Sequence, residues 1–541
     1  MALHIADLFE HAVDAVPDRL ALIAGETRWS YAELDAAANR FAHHLHAAGI
    51  EPGEHVGLMA RNVAEHVAAM LGCFKARVVP ININYRYVAA ELDYLVENSG
   101  LVAIVEEARF SPVLDDVLAR HPQVRHRVVI EDGTGHWPQR GEPVGFAAAL
   151  AAQPGGRGFG PRSPDDVFIV YTGGTTGYPK GVMWRHEDVW RTLGGGLDFS
   201  TGEPLGELDQ SRAAAATAEP LRCLQLGPIM HANGQWGMLL RFFGGHTNVL
   251  LPRFDPAEIW RVSEREQVRT MSLIGDAMAR PLIEEYERGG YPQARLLTVT
   301  SAAAVFSVEV KQRWLRAFPD TVILDVIGSS ETGMTGNGRI LEENLADKGS
   351  LVHLGPQTSV VDDELRLIDP AEIGAIGRMA RSGHIPIGYL GDPEKTARTF
   401  VTIDGVRYAI PGDWVQIEEG GRLTLLGRGS SCINTGGEKV YPEEVEVALK
   451  SHPDVYDALV FGLPDPTWGQ RVAAVVEPRA GAEVDDAALE AHLRTRISGY
   501  KVPRTVIPVS EVPRHVTGKA DYQRARELAL TPTPVESETT R

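Results

Sequence analysis

Short apolar runs of strand character alternate with helix-like segments through most of the chain. The first are "HVGLMA" (55–60), "RVVPIN" (77–82), "LVAIVEE" (101–107) and "HRVVIED" (126–132). The series resumes with "LRCLQLGPIM" (221–230), "TNVLL" (247–251), "RTMSLI" (269–274), "LLTVTS" (296–301) and "TVILDVIG" (321–328). Strands covered on both faces read as unbroken apolar runs, and their alternation with helices builds mostly parallel sheets flanked by helices. The helical segments carry their own punctuation. "SYAELDAAANRFAHHLHAAGI" (30–50) opens on Ser30 with Glu33 three residues later, a capping box, and closes at Gly49. All-helical and all-β architectures are excluded.

Near residue 360 the character changes. "SVVDDELRLID" (359–369), "GAIGRMAR" (374–381) and "YAIPGDWVQIEEGGRLTLLGRG" (408–429) read as short antiparallel strands joined by Gly and Asp turns. A last section mixes helices "PEEVEVALKSHP" (442–453) and "DDAALEAHLRTRIS" (485–498) with strands "DALVFGL" (457–463) and "RVAAVVEP" (471–478). The expected fold is α/β in two domains. Residues 1–428 form a large domain of mostly parallel sheets with flanking helices, plus a small β-rich subdomain from about 360. Residues 429–541 form a small, mobile α+β domain, with a hinge near 428–431. The segment "TGEPLGELDQSRAAAATAEP" (201–220) reads as a mobile surface insertion, and the polar, proline-broken tail from about 531 as disordered.

A formal net charge of −19 argues against a nucleic-acid or anionic-membrane partner, while leaving room for a local basic pocket. Three scattered cysteines, Cys73, Cys223 and Cys432, suit neither a zinc site nor a disulfide framework. The N-terminus lacks a basic-then-apolar leader, and no apolar run reaches the ~20 residues a membrane span needs. A cytoplasmic protein without an integral membrane segment is expected, and a homodimer is an open option.

The densest chemical signal is "YTGGTTGYPKG" (171–181), which follows the apolar "DVFIV" (166–170). Read as a loop after a strand and before a helix, it suits a polyphosphate: glycines aim amide N–H groups at the anion, hydroxyls donate, and Lys180 adds charge. Lys180 follows Pro179 and precedes Gly181, so this is not a Walker A loop, and kinase and GTPase readings lose support.

The loop closely resembles the signature of the adenylate-forming superfamily, which includes acyl-CoA synthetases, peptide-synthetase adenylation domains and luciferases. Further matches follow in that family's order: "SAAAVFS" (301–307), "DVIGSSETG" (325–333), "PGDWV" (411–415), "LGRGSSCINTGGEKVYPEEVE" (426–446) and "PRHVTGKADYQ" (513–523). The wording is similar to the fatty-acyl-CoA ligase branch, including members acting on sterol side chains. The resemblance implies ATP-dependent activation of a hydrophobic carboxylic acid to acyl-AMP, then thioester formation with coenzyme A. The alternative is an enzyme that loads a carrier protein or performs one half-reaction beside a partner.

The resemblance also implies roles. Thr172, Gly173, Gly174, Thr175, Thr176, Gly177 and Lys180 would cradle the β- and γ-phosphates. Ala302, Ala303 and Ala304 would lie beside adenine. Asp325, Ile327, Gly328, Ser329 and Ser330 would continue the nucleotide site, with Ser330 on the α-phosphate. Glu331, with Thr176, would hold Mg²⁺. Asp413 would take the ribose hydroxyls, with Arg428 at the domain boundary. Lys519 would bridge the carboxylate and the α-phosphate, His231 would sit near the carboxylate, and Gly436–Gly437 would leave room for pantetheine. Three departures stand out: Ile327 replaces an aromatic, Ala302 and Ala303 replace glycines, and Ser430–Ser431 replace a charged hinge pair. A hinge without those charges is expected to balance the two domain orientations differently. The acyl site is expected around "PIMHANGQWGMLL" (228–240) and "IGDAMARPL" (274–282).

Overall fold

The computed structural model describes residues 3–172, 179–198, 201–304, 306–345, 351–355, 357–428, 433–435, 438–465, 469–497, 499–515 and 520–530. The helix read from Ser30 is present as Tyr31–Ala47, and both bonds of its capping box form. Leu20–Ala24, Thr247–Leu250, Arg222–Gln225, Thr270–Leu273, Thr298–Ala302 and Val322–Ser329 lie side by side in parallel. The same sheet continues antiparallel through Gly333–Ile340, Leu351–Leu354, Arg422–Arg428, Asp413–Glu418, Ile376–Arg381 and Thr358–Val361.

The switch to antiparallel pairing therefore falls at Gly333, earlier than residue 360. Gly333–Ile340 reads "GMTGNGRI", too glycine-rich to show a strand period. It pairs because the preceding turn is very tight: a Cβ on Gly328 would lie 2.1 Å from the Gly333 carbonyl oxygen. A second sheet is wholly parallel, in the order Val79–Asn82, His55–Met59, Leu101–Glu107, His126–Ile130 and Val144–Gly145.

The third sheet corrects the reading of the glycine/threonine loop. Val167–Thr172 pairs antiparallel with Lys180–Arg185, which in turn pairs with Gly388–Tyr389. Val182 and Trp184 are buried and Arg185 is exposed, the two-residue period of a strand. The strand before the loop thus pairs with a strand after it, and the helix, His186–Leu193, comes one strand later than expected. Residues 201–220 also differ from expectation. The alanine run forms the helix Asp209–Ala216, and Gln210 both accepts from Trp190 Nε1 (2.6 Å) and donates to the Gly194 carbonyl (2.7 Å).

The C-terminal section builds a sheet of Glu438–Val440, Ile433–Thr435, Gly469–Pro478, Val455–Asp465 and Thr505–Pro508. Helices Pro442–Lys450 and Asp486–Arg494 pack on one core that includes Val445, Leu449, Val460, Val476 and Leu493. It meets the larger part of the chain through Arg479, whose Nη2 lies 2.8 Å from both Glu309 carboxylate oxygens. Arg280 also stacks over the Tyr456 ring at 5.0 Å. The hinge serines Ser430–Ser431, Cys432 and the tail from 531 lie outside the described residues. Cys73 and Cys223 are buried free thiols. Among the described residues no helix is long and apolar enough to cross a membrane.

Candidate active site

Two strands far apart in sequence meet at one corner. Thr172 ends the first strand of the hairpin and Lys180 begins the second, directly opposite it. Leu390 N donates to the Gly181 carbonyl (2.8 Å), which fastens the segment carrying Tyr389 and the helix Pro393–Thr399 to the lysine strand. Tyr389 Oη then donates to Glu331 Oε1 at 2.8 Å. Lys395 lies 4.7 Å above the Tyr389 ring. Burial, and then the adjacent Lys180 ammonium, lower its pKa to about 8.

Glu331 reaches this corner from the turn after Val322–Ser329. Ser329 N donates to Thr332 Oγ1 (3.1 Å) and Glu331 N to Ser329 Oγ (3.2 Å), so the turn is closed by its own hydroxyls. Trp184 Nε1 donates to the Ser330 carbonyl (2.9 Å), tying that turn to the lysine strand. Ser330 is half-buried; Gly328 is exposed at the turn. Ile327 is half-buried and packs on the small cluster of Val352, Val360 and Met379.

Asp325 sits deeper, 5% exposed, and its carboxylate is held by the fully buried Lys311 ammonium. The side chain is held in a buried ion pair. Removing one partner of such a pair typically costs about 3–5 kcal/mol, because the other is left buried and uncompensated. Lys311→Met is therefore expected to destabilise the protein by that order in denaturant unfolding. Lys311→Met combined with Asp325→Leu should recover most of the loss; a double variant no better than the single would contradict this account.

The segment expected beside adenine follows Thr298–Ala302. Ala303 adopts φ of +70°, the left-handed region, where a residue bearing a Cβ costs about 1–2 kcal/mol. Ala302 and Ala304 flank it. Ser301 Oγ accepts from Gly275 N (3.1 Å) and Asp276 Oδ1 from Ser307 N (2.8 Å), so "IGDAMARPL" is locked to this segment. Asp413, 8% exposed, opens its strand opposite the backbone of Arg428.

In the segment expected to line the acyl site, His231 is the residue before helix Ala232–Phe243. The helix begins tightly: a Cβ on Gly234 would lie 2.4 Å from the Pro228 carbonyl oxygen. Asn82 joins this turn to the glycine/threonine hairpin. Its Nδ2 donates to the carbonyls of Tyr171 (3.0 Å) and Met230 (2.6 Å), and its Oδ1 accepts from Tyr171 N (2.8 Å). Trp236 and Met238 are buried on the same helix, and the Trp236 ring meets Trp184 edge-on at 6.1 Å.

The structure thus brings together Thr172, Lys180, Ser330 and Glu331, with His231 joined to the same hairpin through Asn82. Gly173, Gly174, Thr175, Thr176, Gly177, Gly436, Gly437 and Lys519 lie outside the described residues. Sequence reasoning missed Asn82, Tyr389 and Lys395. A polar residue inside the apolar "VVPIN" was the available signal for Asn82; nothing local distinguishes the other two.

The site is similar to known proteins along its whole length. The AMP-binding enzyme family model matches residues 9–389, and the AMP-binding enzyme C-terminal domain model matches residues 444–519. A medium/long-chain-fatty-acid–CoA/3-oxocholest-4-en-26-oate–CoA ligase of Mycolicibacterium smegmatis is 48% identical, over 98% of this chain and 97% of its own. A 3-oxocholest-4-en-26-oate–CoA ligase of Rhodococcus rhodochrous is 45% identical, over 97% and 96%. Among solved structures, an anthranilate CoA ligase in complex with anthranoyl-AMP superimposes with a TM-score of 0.83, at 22% identity and 97% coverage of both chains.

Proposed function

The chain belongs to the AMP-binding enzyme family, and from that membership we propose the division of labour among its residues. It is an AMP-forming acyl-CoA ligase that consumes ATP and coenzyme A and activates a hydrophobic carboxylic acid. In the first step a carboxylate oxygen attacks the α-phosphorus. The bond from the α-phosphorus to the bridging oxygen breaks, and pyrophosphate leaves with the electron pair. In the second, the thiol sulfur of coenzyme A attacks the acyl carbon, the carbon–oxygen bond to AMP breaks, and the thiol proton is lost to solvent.

Both reactants of the first step are anions, so the protein's task is to hold positive charge and oriented donors where negative charge gathers. We assign the β- and γ-phosphates to Thr172–Lys180 and the α-phosphate to the Ser330 hydroxyl. Asp413 takes the ribose hydroxyls, and Lys519 the space between carboxylate and α-phosphate. Glu331 suits Mg²⁺: it is one hard carboxylate, and Mg²⁺ usually takes one or two of these, filling its shell with phosphate oxygens and water. Among the described residues no cluster of three His, Cys, Asp or Glu forms an all-protein cage. Bound there by Glu331 and Thr176, Mg²⁺ would supply neutralisation of phosphate charge. His231 stands at the carboxylate end, and Gly436–Gly437 admit pantetheine. We place the reaction in the cytoplasm, where ATP and coenzyme A are available.

The observation that carries this reading is the junction of the two half-sites. Asn82 fixes the base of the glycine/threonine hairpin and the turn before His231 in one geometry, which supports a single site built from both. For the acid we propose medium- to long-chain fatty acids and large polycyclic acids, the classes named for the similar ligases. Purified protein given ATP, Mg²⁺, coenzyme A and single acids, with mass spectrometry of acyl-AMP and acyl-CoA, tests it. Octanoate, palmitate and 3-oxocholest-4-en-26-oate should give acyl-CoA at least tenfold faster than acetate or any amino acid. Preference for acetate or an amino acid overturns the substrate class; acyl-AMP without acyl-CoA transfers the reading to a carrier-loading or half-reaction enzyme.

A further inference from the structure

We propose that Lys395 is a second ammonium of the phosphate site, acting with Lys180 on the terminal phosphates of ATP and on the pyrophosphate they become. The proposal deepens the ligase reading and rests on it for the identity of the anion. Its geometric basis is a fixed corner. Tyr389 pairs with Val182, and Leu390 N donates to the Gly181 carbonyl (2.8 Å). Asp392 Oδ1 accepts from Lys395 N (2.9 Å), and Thr396 Oγ1 accepts from Tyr389 N (2.9 Å) while donating to the Asp392 carbonyl (2.8 Å). Gly388 packs against that same threonine, so the corner has little freedom to swing.

From this support the Lys395 ammonium lies over the Tyr389 ring and beside Lys180, the lysine of the sequence that resembles a phosphate cradle. Like charges are held together here by backbone they do not control. Among the described residues neither ammonium forms an ion pair with a carboxylate. Glu331 is near, and one of its oxygens accepts from Tyr389. Glu331 and Asp392 act on Lys395 only through space, so two adjacent ammoniums without a direct carboxylate partner offer a polyanion a place between them. The aromatic face beneath Lys395 favours a cation and keeps it at this point. Pyrophosphate, which departs with increased negative charge, gains most from it.

The test is calorimetric binding of pyrophosphate with Mg²⁺, and of AMP, to the full chain and to Lys395→Met, Lys395→Gln and Lys395→Arg. Both neutral variants should weaken pyrophosphate about tenfold and AMP less than twofold, while Lys395→Arg stays within threefold for both. Pyrophosphate affinity unchanged in both neutral variants would overturn the proposal. Equal loss for AMP and pyrophosphate would also overturn it, since that marks a packing role on Tyr389. Failure of the ligase reading shows elsewhere, as absence of acyl-AMP in the acid panel; pyrophosphate binding needs no acid and judges Lys395 separately.

Discussion

Glu331→Gln is expected to lower kcat/KM for adenylation about 100-fold, roughly 2.7 kcal/mol of transition-state stabilisation. The substitution is nearly isosteric and keeps an oxygen for the 2.8 Å bond from Tyr389 Oη, so the turn closed by Ser329 and Thr332 should survive. What it removes is the negative charge proposed to hold Mg²⁺ against the phosphates. The Mg²⁺ dependence should therefore move to higher concentration. Tyr389→Phe removes the hydrogen bond but keeps the charge and the ring beneath Lys395, and should cost less than tenfold. If Glu331→Gln and Tyr389→Phe lose activity equally with unchanged Mg²⁺ dependence, Glu331 is a structural acceptor and the metal assignment fails. Steady-state kinetics over a Mg²⁺ titration separates the two outcomes.

What the sequence disclosed and what it hid follow from how each residue receives its neighbours. The placement of Asp325 to Glu331 was legible because the run lies within one strand and one turn, so its order along the chain is its order in space. Asp325 was still misjudged in one respect, since nothing in "DVIG" announces that Lys311, a helix residue, buries its ammonium against that carboxylate. "KGVMWR" was read as leading into a helix because glycine and lysine blur a two-residue period, and the partner strand Gly388–Tyr389 lies about two hundred residues on. Lys395 was invisible for a related reason. In "GYLGDPEKTARTF" it reads as a solvated lysine in a first helical turn. Only the pairing of Tyr389 with Val182 carries it to Lys180. Fold class was recoverable because apolar periodicity is local; cross-strand electrostatics is not.

Lys519→Met should lower the rate of acyl-AMP formation by about 10³-fold or more, some 4 kcal/mol, while thioester formation from supplied acyl-AMP stays within a few-fold. The reasoning begins with placement. Lys519 lies outside the described residues, but the chain on either side is anchored, because Arg514 and Ala520 form a β-bridge. Arg514 Nε in turn binds Asp457 Oδ2 at 2.7 Å, and Lys450 lies 3.2 Å from the same carboxylate. Those two cations hold the Asp457 carboxyl well below the usual carboxylate range. The described residues on either side of Lys519 are therefore fixed to the C-terminal section. That section is held in this structure by Arg479 on Glu309 and by Arg280 under Tyr456. Under the proposed assignment the ammonium serves the first step and is withdrawn for the second, which is why the loss should fall on one half-reaction alone. Methionine keeps the length and apolar stem, so lost charge is what the experiment reads. Rapid-quench measurement of both half-reactions decides it: equal losses in both would mean that Lys519 supports the domain, and adenylation at the parental rate would mean that the bridging charge comes from another residue.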